Sequence, residues 1–177
     1  MDCPNCNFWL KRKIENYHYI ECGLENVWIE NCKMFVCLNC KGQAAVLPDA
    51  NLASELIAET LIQQCFKLNY EEVRFLRKSM RLREDELALL LRVKPTDIFS
   101  WENKITEIDS LDDLRLRLLI IDIIKNPLFK KIELKLKLAD IFGNCDYRKS
   151  RPNPIPKIIL KPVPTHFNFR IEVAKPT

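Results

Sequence analysis

The spacing of apolar residues changes twice along this chain and divides it into three stretches. Before about residue 46, short apolar runs alternate with polar ones, which is typical of strands. From residue 52 to about residue 142 the apolar residues recur every three or four positions, which predicts helices. After residue 148 the chain is rich in proline, and six of its ten prolines lie between 152 and 176. Because proline interrupts helices, we expect this last stretch to be extended.

Three short strands are predicted in the first stretch, over residues 17–20, 27–29 and 34–36. Residues 48–51 then form a break with residues that favour a helix start, and a helix is predicted over residues 52–66. This helix has apolar residues at helical spacing, with others beside them: Leu52, Leu56 and Ile62, then Ala53, Ile57 and Leu61. It would link the first stretch to the helices that follow.

The middle of the chain predicts four more helices. Asn69 is followed three positions later by Glu72, a capping-box pattern that starts a helix over residues 70–80. A helix over residues 84–91 comes next, and Pro95 suits the first position of the third, because its missing N–H has no intrahelical partner there. The fourth is predicted over residues 110–125, before Pro127. Its expected inward residues are Leu111, Leu114, Leu118 and Ile121.

The segments towards the C-terminus carry mixed patterns. Residues 128–142 predict a further helix, although three leucines that alternate with lysines from Leu134 to Leu138 leave a strand open. Residues 154–163 look extended. Every second residue from Phe167 to Val173 is apolar, as in a half-buried strand. We therefore expect an extended tail that docks on some other surface and does not form a free linker.

Composition and charge place the chain among globular proteins. Apolar residues make up 47% and charged residues 29%, and no run of 18 apolar residues suggests a membrane span. The N-terminus lacks the pattern of a signal peptide, so we expect a cytoplasmic protein with reduced cysteines. The net charge is +4, and the last 30 residues hold seven Lys or Arg against one acidic residue. The basic excess therefore lies in the tail.

Four of the eight cysteines form two C-x-x-C pairs, Cys3 with Cys6 and Cys37 with Cys40. A two-residue spacer lets both thiolates of a tight turn face one ion, and two such turns supply the four ligands of a closed structural zinc site. The 30 residues between the pairs suit a zinc ribbon, in which strands run out from one turn and back to the other. We expect one structural Zn²⁺ per chain.

Other roles for these residue types fit the sequence less well. A redox C-x-x-C motif occurs as a single pair next to a βαβ pattern, whereas this chain has two matched pairs and no βαβ pattern around either. Cys22 and Cys32 could compete as zinc ligands but belong to no pair, and Cys65 and Cys145 suggest no role. His18 lies between two tyrosines, which favours a packing or surface position over a ligand.

The stretch from Leu68 to Asn103 resembles, without gaps, the helix-turn-helix of Cro/repressor proteins. Single pieces of the pattern indicate only a helical core, whereas the joint pattern is fairly specific. The matching residues are Glu72 to Lys78, Glu86-Leu87-Ala88, Leu91, Val93, Ile98 and Trp101-Glu102-Asn103.

Together with the cysteine pairs, this stretch is similar to the YgiT/MqsA-type family of zinc-ribbon plus helix-turn-helix proteins. The further matching segments are residues 17–19, 23–27, 56–59 and 72–79. The resemblance covers about residues 1–125 and leaves out the basic tail. It implies a DNA-binding transcriptional regulator, and many members are autoregulating antitoxins of bacterial toxin–antitoxin pairs. The implied partners are operator DNA, a second copy of the chain and a protein toxin.

Several positions depart from the family pattern. Asn7 and Lys41 stand where a glycine commonly follows each cysteine pair, and Arg92 and Lys104 replace the glycine of the turn and the glycine after the second helix. Arg83-Glu84 stands where the family has a Ser-Gln-like pair that holds a phosphate, and Asp85 and Glu86 follow. Three successive carboxylates would repel a phosphate, although they suit the helix dipole.

These observations predict an α+β fold in four parts. The parts are a four-cysteine zinc ribbon over residues 1–50, a linker helix over 51–67, an all-α helix-turn-helix domain over 68–145 and a basic, extended, strand-like tail over 146–177.

The N-terminal end of the second helix of such a motif reaches base edges, while nearby basic residues contact phosphates. A homodimer would present two copies, with the helix over 110–125 or the next one at the dimer contact. The candidate DNA-binding residues are Arg83, Arg92, Lys94, Thr96, Asp97, Ser100 and Lys104.

Two other functions remain open at this point. The chain could be a protein-interaction adaptor that keeps the helix-turn-helix fold without sequence-specific DNA binding. It could also associate with RNA through the tail, where Phe167 and Phe169 could stack on bases. With two histidines, no nucleophile–base motif and only three glycines, the sequence indicates no catalysis, and we expect a protein that is not an enzyme.

Overall fold

The chain folds as α+β, with six α-helices and a five-stranded sheet among the residues described. The structure is a computed structural model that describes residues 1–47, 49–124, 128–144, 151–152, 155–163 and 168–173. The strands are β1 (Leu10–His18), β2 (Val27–Cys37), β3 (Gln43–Val46), β4 (Ile158–Val163) and β5 (Asn168–Val173). The helices are α1 (Ala50–Ile62), α2 (Tyr70–Ser79), α3 (Glu84–Leu91), α4 (Pro95–Glu102), α5 (Ser110–Ile123) and α6 (Leu128–Asn144).

Strand β2 is the centre of the sheet. Its whole length pairs with β1 in an antiparallel hairpin. Its other edge is shared, because β3 pairs antiparallel with residues 33–36 and β4 runs parallel to residues 27–29. Strand β5 then pairs with β4. The tail therefore completes the sheet that the N-terminal hairpin begins. The prediction that it docks on another surface is confirmed, and that surface is β2 of the same chain.

The separate strands predicted over residues 27–29 and 34–36 are one strand. A β-bulge interrupts the register between them, and Asn31 adopts the left-handed conformation there with φ 51°. The Asn31 N–H donates to the side-chain oxygen of Asn16 on β1, 3.2 Å away. An Asn in this conformation costs little, so the strand continues past the bulge.

The helices follow the predicted starts closely. Asp49 caps α1 by accepting from the N–H groups of Asn51 and Leu52, and Asn69 and Glu72 form the predicted capping box of α2. Helix α1 begins earlier than predicted and ends at Ile62 rather than near residue 66. Residues 128–144 are helical, so the strand alternative for this segment is wrong.

The prediction for the inner face of α5 is wrong in part. Leu111 is 56% exposed, and Leu114 and Leu118 are half-buried, whereas Ile121 is buried as expected. The buried face includes a charged pair, Asp113 and Arg117, both fully enclosed. The prediction considered only apolar residues and therefore misplaced the buried face of α5. Pro127 lies outside the described residues.

One apolar core joins the sheet to the helices. It includes Val27, Ile29 and Met34 of β2, Ile57 and Leu61 of α1, Leu76 of α2, Leu116 and Ile120 of α5, and Ile158 and Leu160 of β4. Among the described residues, no helix is both long and apolar enough to cross a membrane.

Candidate metal centre

The two C-x-x-C pairs meet at one end of the β1–β2 hairpin. Cys3 and Cys6 precede β1, Cys37 ends β2, and Cys40 lies in the turn that follows. The four Sγ atoms lie within 4.8 Å of one another. The Sγ atoms of Cys3 and Cys40 are 3.5 Å apart, and those of Cys6 and Cys37 are 3.4 Å apart. The prediction that these four cysteines form one cluster is confirmed.

This spacing fits a single tetrahedral ion. Four sulfurs about 2.3 Å from a central zinc stand about 3.8 Å from one another, close to the separations found here. The donor set contains thiolates alone, and soft ligands in a tetrahedral arrangement suit zinc or iron. All four positions around such an ion belong to the protein. An ion held here would stabilise the fold and leave no coordination site for water or substrate.

The two cysteine turns share one backbone arrangement. In the first, the N–H of Asn7 donates to the carbonyl oxygen of Cys3 at 2.8 Å, and the N–H of Cys3 donates to that of Phe8 at 2.8 Å. In the second, the N–H of Lys41 donates to the carbonyl oxygen of Cys37 at 3.0 Å. Asn7 and Lys41 have φ values of 54° and 61°. These are the two positions where the YgiT/MqsA-type pattern that the sequence resembles commonly has glycine.

We expect Lys41→Gly to stabilise the metal-bound protein by about 1 kcal/mol, because the left-handed conformation costs a residue with a side chain about that much. Chemical denaturation measures the change. Lys11→Gly is the control, since Lys11 lies within β1 and is not left-handed. Glycine there should destabilise by about 0.5–1 kcal/mol. Equal losses from both variants would contradict the strain at Lys41.

Two cysteines of the cluster have pKa values shifted in opposite directions, lowered for Cys6 and raised for Cys40. Hydrogen bonds from the backbone of Phe8 and from Cys37 lower the pKa of Cys6 to about 6. A backbone hydrogen bond from Gly42 favours the Cys40 thiolate, but the thiol groups around it outweigh this bond and raise the pKa of Cys40 to about 12. Without a cation, the cluster therefore resists complete ionisation at neutral pH, and metal binding would release protons.

The remaining cysteines that the structure describes lie outside the cluster. The Cys22 thiol donates to the carbonyl oxygen of Tyr19 at 2.8 Å, and burial raises its pKa to about 11. Cys32 is buried on the inner face of β2. Neither competes as a ligand. Cys65 is disulfide-bonded, which departs from the expectation that the cysteines are reduced. Cys145 lies outside the described residues.

His18 has a packing role, as expected. Its ring stacks on Trp28 with the centroids 4.4 Å apart and the planes 5° from parallel. Its Nε2 lies 2.6 Å from the carbonyl oxygen of Glu25. Lys157, next to β4, places its Nζ 4.9 Å from the centre of the same Trp28 ring.

Helices α3 and α4 are joined by three residues, 92–94. Arg92 ends α3 in the left-handed conformation with φ 58°, and the N–H of Val93 donates to the carbonyl oxygen of Ala88 at 3.0 Å. Pro95 is the first residue of α4, as predicted. The two helices bury one continuous set of side chains, Leu87, Ala88, Leu91, Ile98 and Trp101.

The predicted DNA contacts around the start of α4 are only partly available. Lys94 and Thr96 are exposed, and no hydrogen bond or ion pair of their side chains occurs among the described residues. Asp97 accepts from the backbone N–H of Lys94 at 2.9 Å and thereby caps its own helix. The Ser100 hydroxyl donates to the carbonyl oxygen of Thr96 at 2.8 Å.

The other three basic candidates differ from one another. Arg83 donates to Asp85 at 2.9 Å and lies 3.5 Å from Glu86, so its charge is largely neutralised within α3. Arg92 is exposed. Lys104 is left-handed with φ 60° and places its Nζ 5.4 Å from the centre of the Tyr70 ring.

The sequence analysis missed three ion pairs that each contain at least one buried charged side chain. Glu102, 2% exposed, receives two hydrogen bonds from Arg77 at 2.6 and 2.7 Å, and this pair ties α4 to α2. The hydrogen bonds to Glu102 raise the pKa of Arg77. Glu72 pairs with Arg151 of the tail, and Arg117 pairs with Asp113. The sequence does contain a signal for these pairs, because each includes a charged residue that helical spacing places on an otherwise apolar helix face.

Comparisons of this chain with protein-family models, with curated proteins and with solved structures give no match. The functional argument therefore depends on the chain's own residues.

Proposed function

We propose that this protein is a zinc-stabilised helix-turn-helix transcriptional regulator that reads duplex DNA with α4. The observation that carries the proposal is the tight connection between α3 and α4, which leaves the N-terminal end of α4 exposed with Lys94 and Thr96 available. A helix end of this kind enters the major groove, where Lys can contact guanine and Thr can contact several bases. The resemblance to MqsA-like antitoxins suggests that the operator is its own.

The exposed face of α4 also carries an apolar side chain. Phe99 is 50% exposed and lies one turn after Pro95 and Thr96. An exposed Phe on a groove-reading helix can contact the methyl group of thymine. The proposed reader therefore combines one cation, one hydroxyl and one aromatic ring, and we expect a preferred site that contains both guanine and thymine.

Phosphate contact is the weaker part of the proposed interface. Residues 84–86 place three carboxylates at the start of α3, and Arg83 is paired with two of them. Glu84 also lies 3.8 Å from Arg77, which offsets part of its charge. Arg92 and Lys94 remain as cations near the groove. Binding should therefore be modest and should depend only weakly on salt, because the salt slope grows with the number of phosphates contacted.

A homodimer would place two copies of α4 on one duplex. Helix α6 exposes Ile132 and Leu136, one turn apart, next to α5, which exposes Leu111 and Ile123. Apolar residues at this spacing suit a helix-to-helix contact between two chains. We assign the dimer contact to this face of α5 and α6.

Selection from a random duplex library at low salt tests DNA reading, and it should enrich one sequence. Thr96→Ala should weaken binding to that sequence more than to others, as expected for a base contact. Arg92→Gly should weaken all sequences alike and reduce the salt slope by about one. This variant relieves the left-handed strain at Arg92, so it should gain about 1 kcal/mol of stability, and a loss of binding cannot then result from unfolding.

The controls for this experiment lie on the same molecule. Lys11→Gln removes an exposed cation from β1 and should leave DNA binding unchanged. Glu84→Gln should improve binding, because it removes one of the three carboxylates. If the wild-type protein binds no duplex at low salt and Glu84→Gln does not improve it, the DNA-reader proposal is wrong.

A second function is favoured by the apolar surface of α3 and α4. Leu89 is 79% exposed, and Leu90 and Phe99 are also exposed, beside the acidic start of α3. Such a surface suits a protein partner that presents apolar and basic side chains, as an antitoxin-like adaptor would require. If a toxin-like protein is encoded beside this gene, Leu89→Ser should abolish its binding, whereas a DNA reader should tolerate the change.

A further inference from the structure

A cavity of about 840 Å³ lies where the linker after α1, the N-terminal end of α2, the loop between α4 and α5 and the tail meet. None of the residues in the metal centre contributes to it. Its walls include Phe66, Tyr70, Trp101 and Ile108, which are apolar or aromatic, and the cations Lys104 and Arg151. Cavities of this size, mostly apolar with a few convergent polar groups, are typical of small-molecule sites.

Arg151 is the unusual member of this cavity wall. One of its guanidinium nitrogens, Nη2, pairs with Glu72, which is 2% exposed. Its guanidinium carbon stands 4.8 Å from the centre of the Phe66 ring. The other two nitrogens, Nε and Nη1, are buried and have no hydrogen-bond partner in the part of the chain that the structure describes.

Buried and unpartnered N–H groups of a cation are costly, and native proteins generally satisfy them. The Glu72 carboxylate is already shared, since its other oxygen accepts from the backbone N–H of Asn69 at 2.9 Å. Nε and Nη1 are enclosed by protein atoms, so an anionic group in the cavity would meet the charge of Arg151 at the part of the side chain that lines the cavity. Guanidinium donors suit carboxylates and phosphates because their N–H groups are fixed in one plane.

The charges around the cavity also favour an anion. Lys67, Lys104 and Arg151 line it together with one carboxylate, Glu107. Glu72 offsets the charge of Arg151 from behind, so the two lysines leave an excess of positive charge after Glu107 is counted. The aromatic walls add flat apolar surface against which a ring can pack.

We propose that this cavity binds a small anionic molecule with a flat apolar body, whose carboxylate or phosphate contacts Arg151 and whose ring packs near Trp101. Such a ligand would connect the tail to the C-terminal end of α4. Through that contact it would change the DNA affinity of α4, and this consequence alone rests on the proposed function.

Trp101 is the reporter for the test. In a Trp9→Phe/Trp28→Phe background it is the only tryptophan of the three. Benzoate and phenyl phosphate serve as anionic probes, and benzyl alcohol is the neutral probe of similar size. At least one of the two anions should change Trp101 fluorescence in a saturable way. Benzyl alcohol should bind at least about tenfold more weakly than that anion, because it cannot form the charged hydrogen bond.

Arg151→Lys is the first variant, because it keeps a cation beside Glu72 but removes the guanidinium fork. Lys104→Gly is the second, since it removes a cation at a left-handed position without adding strain. Each should weaken the anionic probe by about tenfold. Arg115→Lys, at an exposed arginine of α5, is the matched control and should leave binding unchanged. If Arg151→Lys fails to fold, the double variant Glu72→Gln/Arg151→Met replaces it, as both charges are then removed together.

Three outcomes would overturn the proposal. They are binding of benzyl alcohol as tight as that of the anions, equal binding by the Arg151→Lys and Arg115→Lys proteins, and no saturable response to either anion at millimolar concentration. The fluorescence measurement contains no DNA. Anion binding that leaves the DNA affinity unchanged would therefore uphold the site and count only against the link between the cavity and α4, whereas a protein that binds the anion but no duplex would count against the proposed function.

Discussion

Removal of the metal is expected to unfold the cysteine end of the sheet and to leave α2 to α5 folded. An ion held by four cysteines contributes on the order of 10 kcal/mol to the folding of a small module. The turns that carry the cysteines contribute little apolar burial of their own, since Phe8, Trp9 and Leu38 are exposed. The far end of β2 behaves differently, because Val27 and Ile29 pack in the common core.

Hydrogen exchange with and without a strong chelator measures this difference. Without the metal, backbone N–H groups of residues 1–12 and 35–46 should lose protection, while those of α2 to α5 should keep it. Metal analysis of the native protein should give one zinc per chain. A protein that is isolated without metal and keeps the same protection would contradict the metal centre.

Two cysteine variants provide a matched comparison. Cys37→Ser removes one of the four clustered thiols, and Cys32→Ser changes another buried cysteine of the same strand that lies outside the cluster. The first should lose the metal and the protection of the cysteine end. The second should retain one metal per chain and lose only the stability that burial of a hydroxyl costs, about 1–3 kcal/mol. Metal retained at full affinity by Cys37→Ser would exclude Cys37 as a ligand.

The parts of the fold that could be predicted are those encoded locally. The capping pair Asn69 and Glu72 fixed the start of α2, and Pro95 fixed the start of α4, because a cap or a proline acts within one turn of the chain. The cysteine cluster was equally accessible. Its chemistry depends on a two-residue spacer that two short turns can satisfy by themselves.

The parts that could not be predicted depend on distant partners. Strand β4 pairs with β2, and Asn26 donates to the carbonyl oxygen of Pro156, 130 residues away, at 2.8 Å. Nothing in either segment specifies the other. Likewise, Arg151 contacts Glu72 and Phe66, which lie far from it in the sequence, and the pairing of the tail with the sheet brings them together. The candidate ligand cavity was therefore invisible in the sequence.

Helix α5 shows why periodicity alone can mislead. The pattern placed Leu111 inside and gave no role to Arg117, yet Leu111 is exposed and Arg117 is fully buried. A buried arginine is favourable only when acceptors surround it, and those acceptors come from the linker after α1. The buried face of α5 therefore includes a charged side chain, Arg117, whose carbonyl acceptors lie about 50 residues earlier in the chain.

Replacing Arg117 should destabilise the protein more than any other single change on the helices. Its guanidinium donates to the carbonyl oxygens of Ile62, Gln64 and Phe66 at 3.1, 2.7 and 2.7 Å, and to the Asp113 carboxylate at 3.0 Å. These carbonyls end α1 and begin the linker, so one side chain fixes the path between α1 and α2. Arg117→Met should cost about 3–5 kcal/mol, because it leaves a buried carboxylate without its opposite charge and several carbonyls without donors.

Arg115→Met is the control, two residues away on the same helix. The side chain of Arg115 is 48% exposed, that of its partner Asp112 is 11% exposed, and the two are 2.8 Å apart, so loss of Arg115 should cost about 1–2 kcal/mol in urea denaturation, clearly less than loss of Arg117. The dependence on pH separates the lone carboxylate from the lost carbonyl bonds. Burial raises the pKa of Asp113 even beside Arg117, and loss of Arg117 should raise it further. A raised carboxyl pKa favours the folded state at low pH, so the Arg117→Met protein should lose stability as the pH rises through that pKa.

Asp113→Asn in the Arg117→Met protein should remove this pH dependence, because an amide does not titrate. Its oxygen can still accept from the Leu68 N–H, which lies 3.1 Å from the Asp113 carboxylate. The double variant should remain less stable than the wild-type protein, because the carbonyls of the linker still lack their donor. Wild-type stability in the double variant would show that Arg117 serves only its ion pair. Equal losses from Arg115→Met and Arg117→Met would show that the buried guanidinium does not hold the linker at all.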